Sequence, residues 1–163
     1  MASSGCCAPE PGLSTLPICP TCGTTGRTVK LITLKALLRP PALATLDPNR
    51  IYRFCPNSGC EVVYFFDLFV YVRADVKVPV FQKDQATDTP VCYCFGLTRG
   101  DLSAATQGGL PETISSTIQA HIKAGRCGCE VNNPQGKCCL GDIYKTLSAL
   151  QQASERRGPS RLP

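Results

Sequence analysis

The sequence has 163 residues, of which 43% are hydrophobic, and its 17 lysines and arginines against 12 aspartates and glutamates give a formal net charge of +5. This length suits one ordinary domain or two small ones. The basic residues are scattered apart from a terminal RRGPSR, and metal-bound thiolates would lower the charge, so nucleic acid is not expected as a partner. No run approaches the roughly 18 apolar residues of a membrane-spanning helix, so membrane insertion is not expected.

Cysteine usage is the most informative feature of the composition. All 12 cysteines fall in close pairs, which are Cys6/Cys7, Cys19/Cys22, Cys55/Cys60, Cys92/Cys94, Cys127/Cys129 and Cys138/Cys139. The opening MASSGCCAPE lacks the basic and apolar regions of a secretory signal, so we expect a cytoplasmic protein, in which disulfides are rare. Neighbouring thiols converge easily on one ion, and metal binding is therefore the expected role of these pairs.

The sequence of the first half of the chain predicts a small β-rich module. Residues 1–17 are small, polar and interrupted by proline, which predicts a disordered tail containing Cys6 and Cys7. Strands are predicted in TVKLIT, IYRF, EVVYFFDLFVYV and VKVPVF, with one short helix in LKALLRPPAL. The polar QKDQATDTP over residues 82–90 suggests a linker, so the module is predicted to span residues 18–85.

The second half has helical periodicity. Thr98 is a candidate cap for a helix through RGDLSAATQ, isoleucines repeat every four residues in ISSTIQAHIKAG, and Asp142 is predicted to open a last helix. Residues 86–157 are thus predicted to form a small helical module, followed by a flexible tail over residues 158–163. The predicted fold class is α+β, with a β-rich module followed by a helical one.

Two motifs in the first module form a candidate metal site. CPTCG places Cys19 and Cys22 on one side of a tight turn, and CPNSGC adds Cys55 and Cys60. Four thiolates are the tetrahedral ligand set that structural Zn²⁺ prefers, with a rubredoxin-like iron as the alternative. Because four protein ligands leave no open position, the expected role of this site is folding rather than chemistry.

A second cysteine set lies in the helical module and resembles a known family. The segments VCYCFGLT and CEVNNPQGKCCLG, separated by a helical spacer, resemble the [2Fe–2S] module of bacterioferritin-associated ferredoxins. The ordered set CPTCG, FCPNSGCEVVYF, VCYCFG and C-x-x-x-N-P-x-G-x-C-C is similar to the N-terminal region of the CopZ copper chaperones, over residues 19 to about 145. The resemblance implies a zinc subdomain joined to a [2Fe–2S] subdomain, in which each iron needs two thiolates.

The resemblance also implies the cluster ligands. Cys92 and Cys94 match the C-x-C motif of the family, and Cys129 matches the cysteine that opens the second motif. The cysteine doublet supplies the fourth ligand, for which Cys139 is favoured over Cys138. Cys127 is a further alternative. The intervening N-P-x-G is expected to form a turn that returns the chain to the cluster.

The function implied by the resemblance is copper handling, in which the cluster supplies an electron that reduces Cu(II) to Cu(I) and zinc is structural. CopZ chaperones continue into a domain bearing an M-x-C-x-x-C copper loop; this sequence has one Met and no such loop, so we expect the copper-carrying domain to be missing. The alternative is a ferredoxin-like module that transfers electrons to, or docks on, a partner without moving metal ions.

The expected partners are metal ions and a copper-transporting or redox protein. Soft thiolates select Cu(I), so Cys6 and Cys7 are candidates for capturing it, although their presence in a tail of small residues also fits an incidental pair. An enzyme is not expected, because no nucleophile motif surrounds any cysteine.

Overall fold

The computed structural model describes residues 17–157, so both predicted tails, apart from Pro17, and the Cys6/Cys7 pair lie outside the described residues. The first part of the chain contains β1 (Arg27–Val29), α1 (Leu31–Leu37), α2 (Pro40–Leu43), β2 (Tyr52–Phe54), β3 (Val62–Phe66), β4 (Phe69–Val72) and a 3₁₀ turn (Arg73–Asp75). The second part contains β5 (Pro90–Cys92), β6 (Leu97–Thr98), α3 (Arg99–Gln107), α4 (Pro111–Lys123), α5 (Cys129–Asn132) and α6 (Leu140–Arg157). This arrangement confirms the predicted α+β class.

Strands β1 to β4 form one antiparallel sheet in chain order. Strand β3 is buried along most of its length because both faces of the sheet are covered. Val63 and Tyr64 enter the main core with the leucines of α1, whereas Val62 and Phe65 pack among cysteine side chains. The pairing of β3 with β4 shifts register between Val62 and Tyr64. This irregularity interrupts the strict alternation of strand side chains.

Two segments of the first part differ from the sequence-based prediction. TVKLIT is a strand only as far as Val29, because α1 already begins at Leu31. The helix buries Leu34 and Leu37 against the sheet, and this helical spacing outweighs the β propensity of Ile32 and Thr33. VKVPVF is not a strand either; it contributes only an isolated bridge between Val76 and Leu38.

The second part is built from three longer helices, the four-residue helix α5 and a two-stranded hairpin. Helices α3, α4 and α6 pack around a core that includes Leu102, Ile118, Ile143 and Leu147. Thr98 caps α3, since its hydroxyl accepts from the Asp101 amide and its own amide donates to the Asp101 carboxylate. The hairpin of β5 and β6 was not predicted, and it carries the CYCFG motif.

The two parts are joined by contacts with α5 and with the loop between α5 and α6. The buried Tyr64 hydroxyl donates to the Pro134 carbonyl at 2.8 Å, and the Thr33 hydroxyl donates to the Glu130 carbonyl at 2.6 Å. Gly136 has φ +69°, and an added Cβ would lie 3.2 Å from the Thr33 hydroxyl oxygen. The loop therefore lies closely against α1 and the sheet.

We expect Tyr64→Phe to destabilise the protein by about 1–3 kcal/mol, because it leaves the buried Pro134 carbonyl without its donor. Urea unfolding of the metal-loaded protein measures this as a lower midpoint with an unchanged slope. Tyr71→Phe is the matched control: Tyr71 is also buried, but its hydroxyl contacts other hydroxyls, those of Thr45 and Tyr52, and no backbone carbonyl. Equal effects from both substitutions would contradict a specific role for the Tyr64 hydrogen bond.

Over residues 17–157, the structure contains no helix with both the length and the apolar composition required to cross a bilayer.

Candidate metal centres

The first cysteine quartet is assembled from two loops at one end of the sheet. The loop holding Cys19 and Cys22 precedes β1, and its turn is closed by the Cys19 amide donating to the Thr24 carbonyl at 2.8 Å. Gly23, at φ +69°, occupies the left-handed position that this turn requires. Cys55 and Cys60 lie between β2 and β3. The four sulfur atoms lie within 4.8 Å of one another.

The spacing and burial of these sulfurs suit a closed tetrahedral metal site. The Sγ atoms of Cys22 and Cys55 are 3.6 Å apart. Sulfurs at the corners of a tetrahedron with Zn–S bonds of about 2.3 Å are roughly 3.8 Å apart. Cys19, Cys55 and Cys60 are buried, and Val62 and Phe65 pack around them. Three of the four thiols are therefore shielded from water, and four thiolates are the ligand set of structural zinc.

Hydrogen bonding and burial act on these thiols in opposite directions. A hydrogen bond from the Thr24 hydroxyl is the main cause that lowers the pKa of Cys22, to about 6. Burial raises the pKa of Cys55 to about 12, opposed by an amide hydrogen bond from Asn57 and the charge of Lys83, and burial also raises the pKa of Cys60. Because zinc binds thiolates, its binding must displace protons from the buried thiols.

The second quartet, which comprises Cys92, Cys94, Cys129 and Cys139, is arranged as two pairs of neighbouring thiols. The Sγ atoms of Cys94 and Cys129 are 3.7 Å apart, and the Cys92 and Cys139 side chains are hydrogen-bonded to each other. Among the described residues, the first quartet alone brings three or more ligand atoms within 4.8 Å. A two-iron cluster is bound by two thiolates on each iron, so two separate pairs of thiols match the ligands that it needs.

The electrostatics of the second quartet follow from this pairing. The hydrogen bond from Cys139 is the main cause that lowers the pKa of Cys92, to about 6, and the same contact raises the pKa of Cys139. Burial raises the pKa of Cys129 to about 12. The Cys92 and Cys139 thiols therefore titrate as a pair, because the proton affinity of each depends on the other.

The loop after α4 supplies hydrogen-bond donors to this quartet. The Gly128 amide donates to the Cys94 sulfur at 3.3 Å, and the Asn132 side-chain amide donates to it at 3.7 Å. The predicted turn after Asn132 is present, with the Gly136 amide donating to the Asn133 carbonyl at 2.8 Å. Such donors stabilise negative charge on sulfur.

Two further cysteines of the described chain lie beside the second quartet. Cys138 is exposed, and Cys127 is partly exposed. Both line an open groove of about 520 Å³ that also reaches Cys129. Cys139, by contrast, is only 1% exposed. It is the cysteine of the Cys138/Cys139 doublet that contacts Cys92.

Two residues that shape the first site were missed by sequence reasoning. Thr24 lies two positions after Cys22 of the C-x-x-C motif, so its role could have been inferred from that position. Lys83 lies in a polar segment that predicts a solvated linker, yet it is buried against the Cys55–Cys60 loop. No sequence signal distinguished it from the neighbouring polar residues.

The fold and this site define an α+β protein with a Cys₄ zinc-binding domain. The family model zf_CopZ, described as a zinc binding domain, matches residues 16–77, which contain all four cysteines of the first quartet.

The chain is similar to the copper chaperone CopZ of Archaeoglobus fulgidus, with 32% identity over 122 residues that make up 74% of this chain. It spans 57% of the length of that relative. The X-ray structure of the N-terminal domain of the same chaperone matches with a TM-score of 0.67 and 29% identity, covering 78% of this chain and 95% of that domain. The similarity therefore extends beyond the zinc-binding domain into the helical part.

Proposed function

We propose that this chain is a cytoplasmic metalloprotein of copper handling, in which zinc at the first quartet is structural and a [2Fe–2S] cluster at the second is redox-active. The observation that carries the proposal is the arrangement of Cys92, Cys94, Cys129 and Cys139 as two neighbouring pairs. Similarity to a copper chaperone supports copper as the cargo. The proposed role is metal handling rather than enzymatic turnover of an organic substrate.

The residues present fit a [2Fe–2S] group. Two thiols come from the β5–β6 hairpin and two from the segment between the start of α5 and the start of α6. The Gly128 amide adds a donor to the Cys94 sulfur, a contact that tunes cluster potential. Cys92 and Cys139 lie in the helical core, whereas Cys94 and Cys129 are partly exposed. When bound, such a cluster exchanges one electron. Because Cys94 and Cys129 are partly exposed, an electron can leave the cluster on their side.

Copper, as the substrate, can approach on this exposed side. The groove lined by Cys127, Cys129 and Cys138 offers soft sulfur ligands, which favour Cu(I) over harder ions. In the proposed step Cu(II) gains one electron and becomes Cu(I), while the reduced cluster returns to its oxidised state. A separate electron donor, a reduced protein or small reductant, must then reduce the cluster again.

A second candidate function is electron transfer to, or docking on, a protein partner without metal-ion transfer. Basic side chains at Lys123, Arg126 and Lys137 are exposed around the loops of the second quartet. A cluster of positive charge at an electron exit would attract an acidic redox partner. The same surface also suits an acidic copper-transporting partner, so the experiment must measure the reduction of copper directly.

The test begins with anaerobic purification, elemental analysis and a visible spectrum. The expected sample is brown and contains about two irons, two sulfides and one zinc per chain. The reduced protein, freed of excess reductant, is then mixed with Cu(II) and a Cu(I)-specific chromophore. We expect about one Cu(I) for each cluster that is reoxidised. The oxidised protein carries the same thiols and measures the background from thiol reduction.

Each result separates the two candidates. Cluster reoxidation that is matched by Cu(I) supports copper handling. A reducible cluster that Cu(II) does not reoxidise supports the electron-transfer module instead. A colourless protein that also fails iron–sulfur reconstitution rejects both and leaves a zinc-binding thiol protein.

A further inference from the structure

Among the side chains described, over residues 17–156, Lys83 is the one charged side chain that is buried, with 5% of its surface exposed. Its ammonium donates to the backbone carbonyls of Asn57 and Cys60, at 2.7 and 2.9 Å. Both carbonyls belong to the loop that carries Cys55 and Cys60. A lysine from outside the zinc-binding sequence motifs therefore lies directly against the metal-binding loop.

No carboxylate of the described residues lies within 4 Å of this ammonium. The neighbouring Asp84 carboxylate instead approaches Arg73, at 3.9 Å. Neutral carbonyls satisfy two of the three N–H donors of Lys83 but do not balance its charge. Burying an unbalanced charge is costly, so a nearby anion is expected.

The Cys₄ site supplies that anion when it holds zinc. Four thiolates and one Zn²⁺ sum to a net charge of −2, in surroundings that Val62 and Phe65 keep apolar. Attraction between opposite charges is strong in such a poorly solvated site.

We propose that Lys83 is the counter-cation of the Cys₄ zinc site and, by this attraction, holds the segment between the two parts of the chain on the metal-binding loop. The inference concerns the first quartet and is independent of the proposed cluster and of copper.

The segment around Lys83 also contacts the second part of the chain. The Arg99 guanidinium donates to the carbonyls of Phe81 and Asp84, at 2.6 and 3.1 Å. The Gln82 side-chain amide lies 3.3 Å from the Asp142 carboxylate of α6. This segment already contacts the helices, and Lys83 anchors it to the zinc loop as well.

The test is Lys83→Met in the full zinc-loaded chain, since methionine keeps an unbranched apolar stem and removes the charge. Zinc affinity is measured by competition with a chromophoric chelator. We expect affinity to fall by about 10- to 100-fold, as for other residues that support metal ligands. Lys77→Met is the matched control, because Lys77 is exposed and its ammonium also donates to a backbone carbonyl, that of Ala36, at 2.8 Å.

The stability of the zinc-loaded and metal-free proteins separates a charge effect from simple packing. A counter-cation stabilises the zinc form more than the metal-free form, so Lys83→Met should lower the melting temperature of the zinc form selectively. Equal losses in both forms, or a zinc affinity within about threefold of that of Lys77→Met, would overturn the proposal. If the metal-free protein does not melt cooperatively, the chelator competition alone decides.

Discussion

Cys55→Ser is expected to abolish zinc binding and to unfold the sheet end that contains the first quartet. Cys55 is fully buried, and a serine hydroxyl does not ionise to replace its thiolate. The remaining cluster of Cys19, Cys60, Val62 and Phe65 is too small to substitute for the metal. Structural zinc contributes about 10–16 kcal/mol of apparent binding energy in small domains, so the loss should be large.

Elemental analysis and circular dichroism measure this result. Zinc content should fall from about one ion per chain to near zero, with a loss of β-sheet signal. Cys127→Ser is the control, since Cys127 lies outside the first quartet. Retention of stoichiometric zinc by Cys55→Ser would refute the four-cysteine site.

Cys139→Ser is expected to prevent assembly of the proposed cluster, whereas Cys138→Ser should leave it in place. The two cysteines are adjacent in sequence but differ in environment. Cys139 is buried and hydrogen-bonded to Cys92, whereas Cys138 is exposed beside the groove. Replacing one of four thiolates leaves an iron without its required pair.

Visible absorption and iron content after anaerobic reconstitution check this prediction. Cys139→Ser should retain less than about a tenth of the wild-type absorption, and Cys138→Ser most of it. The reverse outcome would make Cys138 the ligand. A similar loss in Cys127→Ser would instead place that cysteine in the cluster. Zinc content is expected to stay unchanged in all three variants, because none alters the first quartet.

The first part of the chain also acts as a support for the second. The segment from α5 to the start of α6 presents Cys129 at one end and Cys139 at the other. Between them, the Glu130 and Pro134 carbonyls contact Thr33 and Tyr64. An exposed ion pair between Lys30 and Glu130 adds little to this contact. The buried hydrogen bonds and the close approach of Gly136 therefore position the loop, and through it the second quartet.

Local sequence signals predicted much of the fold because they depend on neighbouring residues. Thr98 caps the N-terminus of α3, and Gly125, at φ +68°, ends α4. Both roles can be inferred from the residue type and its position. The start of α1 could not be predicted in this way, because burial of Leu34 and Leu37 against a distant sheet overrides β propensity at Ile32. Strand β5 was also missed, since it is only three residues long.

For the metal sites, the sequence by itself determined the close cysteine pairs and hence the class of ligand, because thiols two to five positions apart converge within one loop. Only the tertiary structure brought the loops together, placing Cys22 beside Cys55 and Cys94 beside Cys129. The tertiary structure also buried Cys139, which the family resemblance already favoured over Cys138, and it alone buried Lys83 against the zinc loop. Burial and charge balance are set by chain segments that are distant in sequence, so no local spacing encodes them.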